Sequence, residues 1–127
     1  MNLLVDSHAL LWWFASPSQL SARAWDALKG SGNQVYVSAA VAWELSIKVN
    51  LGKLDAERLI SDLASVLFER RFRRLAISVD HAIRAGALPP HHRDPFDRML
   101  VAQAQALGFS IVSADATLDR YGVTRIW

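Results

Sequence analysis

The clearest hydrophobic pattern in the chain begins at Asp94 and ends at Gly108. Pro95 suits the first position of a helix, and the Asp94 side chain can accept hydrogen bonds from the free N–H groups of the first turn. The apolar positions follow three, four and seven residues after Asp97, at Leu100, Val101 and Ala104. Asp97 therefore shares the face that must be buried. Since carboxylates are rarely buried alone, Asp97 needs a cation, hydrogen-bond donors or a solvent-filled cleft, although the helix dipole also favours an acid in the first turn.

Short apolar runs alternate with longer amphipathic segments along the rest of the chain. The short runs predict strands at residues 2–5, 34–37, 75–79, 109–112 and 123–127. The amphipathic segments predict helices at residues 7–15, from a Ser18 or Ser21 cap to 28, from a Ser38 cap to about 50, at 55–72, at 80–86 and at 94–108, with a helical turn at 113–120. Strands that alternate with helices indicate a parallel sheet covered on both faces, a three-layer α/β/α sandwich.

Length and composition fit one folded domain over residues 1–127. The chain is 52% hydrophobic and 20% charged, which is typical of a globular protein. It has no cysteine, so neither a disulfide framework nor a thiolate zinc site is available. The first residues, MNLLVDSHALLWWF, lack the basic start of a signal peptide, and no apolar run is long enough to span a membrane. We expect a cytoplasmic protein with no membrane partner.

The charge balance is mildly basic and rich in arginine. The formal net charge is +2, and eleven of the fourteen basic residues are arginine, whose guanidinium group pairs well with phosphate. The densest basic run is formed by Arg70, Arg71, Arg73 and Arg74. It falls at the predicted end of a helix, where the dipole favours cations, so we interpret it as a solvated helix end before a nucleic-acid patch.

Four acids are expected to meet at one edge of the sheet. Asp6 and Asp115 follow predicted strands, whereas Glu44 and Asp97 lie in helices that begin at the same edge. Ligand sites in parallel sheets form beyond the carboxyl ends of the strands, because the loops there face one crevice. Each acid also has a structural explanation: Asp6 and Asp115 can cap helices, and Glu44 can pair with Lys48. Four such acids at one crevice are harder to explain as caps alone.

A cluster of four carboxylates requires a compensating cation, because like charges in close contact repel one another. Oxygen-only ligands favour Mg²⁺, with Mn²⁺ as an alternative, over zinc or copper. Such a metal activates water and stabilises the charge of a phosphodiester undergoing hydrolysis. Basic residues around an acidic site would hold a nucleic-acid backbone that the acids alone would repel. The residues therefore predict a metal-dependent nuclease.

Several longer segments resemble the VapC-type PIN-domain toxins of type II VapBC toxin–antitoxin systems. The segments are LLVDSHALLWW, VSAAVAWELSIKVNLGKL, HRDPFDRMLVAQAQALG and SIVSADATLDRYGV, in order and over nearly the whole chain. The resemblance implies a PIN-like α/β/α sandwich and a Mg²⁺-dependent endoribonuclease acting on structured RNA, commonly tRNA or rRNA. It also implies a homodimer and a VapB-type antitoxin partner.

The resemblance also assigns site residues. The family's four acids fall on Asp6, Glu44, Asp97 and Asp115, which are the expected catalytic and metal-binding residues. The supporting residues next to this site fall on Ser7, Asp94 and Ser113. The family often has threonine at the position of Ser113, and serine keeps the hydroxyl group. Capping of the helix explains Asp94 about equally well.

Other residues receive simpler interpretations. His91 and His92, in a proline-rich loop, are expected to position neighbours instead of binding a metal. Arg98 lies off the apolar face, and contact with RNA or with a partner protein remain equal alternatives. Asp80 and Asp119 are interpreted as caps or surface acids. The tryptophans are interpreted as core or dimer-interface residues before base-stacking platforms, at Trp12, Trp13, Trp25 and Trp43.

Three other functions are alternatives to a nuclease. A receiver-like signalling module needs a lysine after a late strand, but all three lysines lie in the first half of the chain. A haloacid-dehalogenase phosphatase needs a second aspartate two residues after Asp6, where this chain has His8. A catalytically silent RNA-binding or antitoxin-sequestering module on the same fold would not need the complete set of acids.

Overall fold

A five-stranded parallel sheet forms the centre of the computed structural model, which describes all 127 residues. The strands are β1 (Asn2–Val5), β2 (Gln34–Ser38), β3 (Arg73–Leu75), β4 (Ser110–Val112) and β5 (Arg125–Ile126). They lie in the order β3-β2-β1-β4-β5, and all neighbouring strands are parallel. In the middle strand, Leu3 lies opposite Val35 on one side and Ser110 on the other. The apolar sequence of β1 is therefore explained by its complete burial.

Seven helices flank this sheet. They are α1 (Ser7–Ala15), α2 (Ala22–Lys29), α3 (Ala39–Asn50), α4 (Glu57–Ser61), α5 (Leu63–Glu69), α6 (Val79–Ala87) and α7 (Pro95–Leu107). Two 3₁₀ segments lie at Pro17–Gln19 and Ala116–Tyr121. None of the helices has both the length and the apolar character needed to cross a bilayer. The predicted α/β sandwich with a central parallel sheet is confirmed.

The helix starts follow the predicted capping residues. Ser21 and Ser38 accept hydrogen bonds from backbone N–H groups in the first turns of α2 and α3. Asp94 accepts from the N–H groups of Phe96 and Asp97 at the start of α7. The predicted apolar face of α7 is buried, at Leu100, Val101 and Ala104. Local sequence therefore determined both where α7 begins and which of its faces packs inward.

The predicted strand at 75–79 is wrong in position, because β3 ends where that strand was expected to begin. Leu75 pairs with Ser38, the last residue of β2, and α3 starts immediately after Ser38. Residues after Leu75 consequently have no neighbouring strand to pair with. Ser78 instead caps α6 in a reciprocal arrangement with His81. The strand that does form contains two exposed arginines at the edge of the sheet, a composition that hydrophobic patterning does not identify.

The predicted helix at 55–72 is also wrong, because two short helices separated at Asp62 occupy this segment. The second helix ends at Glu69. Arg71 adopts a left-handed conformation with φ of 60°, and its N–H donates to the Phe68 carbonyl. The N–H of buried Phe72 donates to the Leu67 carbonyl at 2.9 Å. This Schellman arrangement closes the helix and turns the chain into β3.

The arginine run was expected to be a solvated helix end, and that interpretation holds only for its first half. Arg70 and Arg71 follow α5, but Arg73 and Arg74 belong to the edge strand β3. All four side chains are exposed. A groove next to the run is also lined by Ser31, Asn33 and Gln34, where β2 begins. Arg71 and Arg73 therefore line a groove near the start of β2, whereas Arg74 pairs with Val37 near the end of that strand.

The strand order places a crevice between β1 and β4. The chain passes from β1 outward to β2 and β3, and then returns to β4 on the opposite side of β1. The direction in which the chain crosses the sheet therefore reverses between β1 and β4. Loops separate at such a reversal point and leave room for a ligand beyond the carboxyl ends of the strands. The fold thus favours the edge next to Asp6 and Ser113, which directly follow these two strands.

Two glycines in different conformations are expected to respond oppositely to alanine. Gly108 ends α7 with φ of 70°, so Gly108→Ala should lower the free energy of unfolding by about 1 kcal/mol through backbone strain. Gly86 lies within α6 with open space around its Cα, so Gly86→Ala should raise the free energy of unfolding by about 0.5 kcal/mol. Urea denaturation measures both. Destabilisation by Gly86→Ala together with stabilisation by Gly108→Ala would contradict these backbone assignments.

Candidate active site

The predicted acids lie around the carboxyl ends of β1 and β4. Asp6 directly follows β1, and Asp115 lies three residues after the end of β4. Asp97 is the third residue of α7, as the pattern of that helix predicted. Glu44 lies halfway along α3 and is buried. The structure therefore gathers side chains from four segments that are far apart in the sequence.

Asp6 is a buried carboxylate that also caps α1. It accepts a hydrogen bond from the Ala9 N–H at 2.8 Å, as its capping interpretation predicted. Burial raises the pKa of the Asp6 carboxyl above its ordinary value, and hydrogen bonds from the Ser113 side chain and the Ala9 N–H only partly offset this. The negative charge of Glu44 raises the pKa of Asp6 further. Asp6 and Glu44 are thus close enough to repel one another.

Glu44 is buried on a helix that is apolar on nearly every side. Its side chain is 5% exposed, and its Oε2 lies 2.7 Å from the Lys48 Nζ one turn later. The ion pair that the sequence suggested is therefore present. No hydrogen bond from the protein reaches the other oxygen, Oε1. The ion pair therefore occupies Oε2 of this buried carboxylate and leaves Oε1 available to a ligand.

Asp97 has the most perturbed environment of the four acids. Burial raises the pKa of its carboxyl to about 7, and the negative charges of Asp94, Asp6 and Glu44 contribute to the rise. His92 acts in the opposite direction. Asp97 therefore lies within the electrostatic reach of two other predicted site acids.

Asp115 lies on the outer side of the group and is more exposed than the others. Burial acts to raise the pKa of its carboxyl, but hydrogen bonds from His92 and Thr117 outweigh this and hold the pKa below its ordinary value. Its Oδ1 accepts from the Thr117 N–H at 2.9 Å, so Asp115 caps the 3₁₀ segment as well. Asp115 is consequently ionised near neutral pH and connected to Asp97 through the His92 ring.

His92 lies between two of the acids. Its Nε2 is 2.7 Å from Oδ2 of Asp115 and 3.2 Å from Oδ2 of Asp97. One ring nitrogen and one oxygen from each carboxylate lie within 4.8 Å of one another. The sequence predicted a positioning role for His91 and His92 together, and did not distinguish between them. The ring of His91 instead packs edge-on against Tyr121, with ring centroids 5.0 Å apart.

Arg98 is an important residue whose contacts the sequence did not identify. RNA and a partner protein were the two alternatives, but its guanidinium group lies against the loop before α7. It donates to backbone carbonyls on that loop and on the end of α6, including Leu88 at 2.8 Å and Ala85 at 3.0 Å. These acceptors are backbone groups far from Arg98 in sequence, so no local pattern could have revealed them.

The predicted supporting residues lie close to the acids. Ser113 is fully buried, and its hydroxyl accepts a hydrogen bond from the Asp115 N–H at 3.0 Å. Ser7 is buried at the first position of α1, next to Asp6. Asp94 caps α7 and raises the pKa of Asp97 through its charge. The capping role of Asp94 is therefore observed, whereas its influence on a metal remains a prediction.

Several other interpreted residues lie outside the acidic group. Asp119 is exposed and pairs with Arg125 at 2.8 Å, which agrees with a surface acid, and Asp80 is an exposed acid in the first turn of α6. Three tryptophans pack against the core, at Trp12, Trp13 and Trp25. Trp43 does not, because it is 62% exposed and meets only the edge of Phe96 in an aromatic contact at 5.2 Å. The prediction that Trp43 packs in the core is therefore wrong.

The donor set suits a small divalent cation. Asp6, Glu44 and Asp97 are carboxylates at one edge of the sheet, and burial or mutual repulsion raises the pKa of Asp6 and Asp97. Free oxygens remain on Glu44 and Asp97, since no protein donor reaches Oε1 or Oδ1 respectively. Oxygen donors of this kind are the ligands preferred by Mg²⁺ and Mn²⁺. The residues present therefore fit such an ion, which would neutralise charges that now repel.

Comparison with known proteins agrees with this architecture. The family model described as PIN domain matches residues 3–123. The chain is 30% identical over 119 residues to a protein named Ribonuclease VapC22 from Mycobacterium tuberculosis (strain ATCC 25618 / H37Rv), covering 92% of this chain and 89% of the relative. The residues matched by the family model, 3–123, include all four acids.

Two solved structures share the fold. One is VapBC2 from Rickettsia felis bound to a DNA fragment from its promoter, with a TM-score of 0.73, 13% identity and coverage of 98% of this chain and 97% of the other. The other is VapBC-1 from nontypeable Haemophilus influenzae, with a TM-score of 0.68, 13% identity and coverage of 98% and 96%. At this identity the likeness concerns the fold.

The raised pKa of Asp97 predicts how stability depends on pH. The folded state holds this proton more tightly than the unfolded chain, so the metal-free protein should lose stability as pH rises from about 4 to about 7. Asp97→Asn removes the buried charge, and should raise the free energy of unfolding by up to about 4 kcal/mol at pH 8 and by less than half as much at pH 5. Urea denaturation in chelator at both pH values measures this.

The control for that experiment is Asp119→Asn, which removes an exposed carboxylate paired with Arg125. The pair with Arg125 lowers the pKa of Asp119, so this substitution should give no gain in stability at pH 8. A loss of stability in Asp97→Asn protein at pH 8 would show that its carboxylate is not destabilised by its surroundings.

Proposed function

The chain belongs to the PIN domain family, and from that premise we propose that it is a metal-dependent endoribonuclease, the toxin component of a type II toxin–antitoxin pair. Its reaction is hydrolysis of RNA phosphodiester bonds. The relative from Mycobacterium tuberculosis bears the name ribonuclease, and the fold neighbours are VapBC proteins. These likenesses support the proposal, and the acids of this chain give it a chemical basis.

One observation carries the proposal: three buried or half-buried carboxylates from different elements repel one another at the crevice. The charges of Asp6 and Glu44 both act on Asp97. Packing like charges together lowers stability, and evolution commonly accepts such a cost where a site must bind a cation. Lys48 pairs with Glu44 only, so it does not compensate the remaining acids. A divalent ion is the compensation that the geometry supports best.

Each acid has a role in this proposal. Asp6, Glu44, Asp97 and Asp115 would hold Mg²⁺, with Mn²⁺ as an alternative, through carboxylate oxygens. When bound, the metal supplies Lewis-acid stabilisation of the phosphate charge and lowers the pKa of a water molecule. Ser113 orients Asp115 through its backbone N–H, Asp94 fixes the first turn that carries Asp97, and Ser7 packs next to Asp6.

The proposed substrate is a structured RNA such as tRNA or rRNA. Support comes from the arginine-rich composition, which gives a net charge of +2 despite the acidic crevice. Exposed Trp43 is next to Glu44 in sequence and close to Phe96, which is next to Asp97.

The proposed protein partners are a VapB-type antitoxin and a second copy of the chain, in the cytoplasm. The named VapBC fold neighbours support the antitoxin. Support for a homodimer comes from exposed apolar side chains on neighbouring helices, notably Trp43 on α3 and Val79 and Ile83 on α6. Burial of these side chains against a partner would remove apolar surface from water.

Purified protein should cleave RNA in the presence of Mg²⁺ and stop when a chelator is added. Asp6→Asn and Asp97→Asn should each reduce the cleavage rate at least about 100-fold, because each removes a charged metal ligand. Asp80→Asn, an exposed acid outside the crevice, is the matched control and should cleave normally. Gel analysis of labelled RNA measures the rates. Cleavage by Asp6→Asn or Asp97→Asn protein at the wild-type rate would reject the roles given to them.

Induced expression of the chain in bacteria should arrest growth. Glu44→Gln should relieve the arrest, because the amide keeps the size of the side chain and removes its charge, and co-expression of the matching antitoxin should relieve it as well. Growth curves measure both effects, with protein levels checked by immunoblotting. Equal arrest by the Glu44→Gln and wild-type forms would count against RNA cleavage as its cause and would favour a catalytically silent binding module.

A further inference from the structure

We infer that His92 is a positioning residue whose Nε2–H group holds Asp115 by a hydrogen bond beside Asp97, and that it is not a ligand of the divalent ion. The inference rests on the proposed metal-dependent function. His92 lies close enough to the proposed metal ligands Asp97 and Asp115 to be a ligand itself.

The hydrogen bond at Nδ1 fixes the tautomer of the ring. The backbone N–H of Asp94 donates to Nδ1 of His92 at 3.0 Å. A nitrogen that accepts a hydrogen bond must present a lone pair, so Nδ1 carries no proton. In a neutral imidazole the proton is then on Nε2. The donor is the backbone N–H of Asp94, which can only donate a hydrogen bond, so the roles of donor and acceptor cannot be exchanged.

The Nε2–H group points at two carboxylates. It forms a hydrogen bond with Oδ2 of Asp115 at 2.7 Å and lies 3.2 Å from Oδ2 of Asp97, close enough to interact electrostatically with the second acid. A protonated ring nitrogen has no free lone pair for a metal. Although the three ligand atoms lie within 4.8 Å of one another, this group therefore contains two oxygen ligands and one hydrogen-bond donor. The donor reduces the repulsion between the two acids before the cation arrives.

The backbone around His92 is held from two sides. The His92 N–H donates to the Tyr121 hydroxyl at 2.8 Å, and that hydroxyl donates to the Pro89 carbonyl at 2.8 Å. The Arg98 guanidinium donates to four carbonyls around the same loop, those of Ala85, Leu88, Pro89 and His92. Tyr121 is buried, and the His92 ring is only 15% exposed. These hydrogen bonds hold the His92 backbone, and with it the imidazole ring, in a fixed position in the folded chain.

Heteronuclear NMR of the imidazole nitrogens tests the tautomer directly. The expected spectrum of metal-free protein shows the His92 proton on Nε2, and the same assignment after Mg²⁺ is added. A proton on Nδ1, or loss of the Nε2 proton when Mg²⁺ is added, would overturn the inference. The first spectrum needs no bound metal, so it decides about His92 even if the wild-type protein binds none and the proposed function fails.

Substitutions test the positioning role. Mn²⁺ affinity, measured by titration with EPR detection, should fall about tenfold or more in His92→Ala protein, because the donor that holds Asp115 is lost. His92→Gln keeps an N–H donor near the position of Nε2 and should retain an affinity within about threefold of wild type. His91→Gln changes the exposed neighbour and should bind Mn²⁺ normally. Equal losses in the His92→Gln and His92→Ala proteins would contradict a donor role, with folding of each verified by circular dichroism.

Discussion

Repulsion between carboxylates at the carboxyl edge of the sheet is the constraint on which the rest of this structure depends. Glu44 is buried and Asp97 is largely so, each close enough to the others for its charge to matter, and the pKa of Asp97 rises to about 7 as a result. Two neighbouring side chains reduce that repulsion in part. Lys48 pairs with Glu44, and His92 forms a hydrogen bond with Asp115 and lies 3.2 Å from Asp97. These contacts still leave carboxylate oxygens free, which is the arrangement that a divalent ion completes.

The sheet order explains how such unfavourable neighbours come together. β1 and β4 are adjacent although more than one hundred residues separate their starts, and each is followed directly by a polar residue of the crevice, Asp6 or Ser113. The apolar strands and the buried face of α7 supply the burial energy that offsets the electrostatic cost. The acids thus reduce stability locally, while the surrounding core maintains the fold, a division commonly found at functional sites.

Local sequence predicted much of the fold and the candidate site. The Asp94 cap, the apolar face of α7 and the burial of Glu44 all follow from short-range patterns, because capping and helical periodicity involve only a few neighbouring residues. The alternation of strands and helices placed Asp6 and Asp115 at one edge without any coordinates. The assignment of the four acids to metal binding came from the same reasoning and stays a prediction.

Features that depend on distant partners could not be predicted. β3 forms where β2 offers a partner strand, so its position depends on register with residues more than thirty positions earlier. The contacts of Arg98 are backbone carbonyls brought near by folding of the loop before α7. His92 and His91 are neighbours with the same chemistry, and only the fold turns one towards Asp115 and the other towards Tyr121.

Mg²⁺ calorimetry at pH 6.5 tests most directly whether the acids share a divalent ion. Because the pKa of Asp97 is raised to about 7 without metal, binding must displace its proton. We expect a binding enthalpy that changes with the ionisation enthalpy of the buffer in wild-type protein, and loss of that dependence in Asp97→Asn protein. Absence of Mg²⁺ binding, or binding by both proteins without proton release, would contradict it.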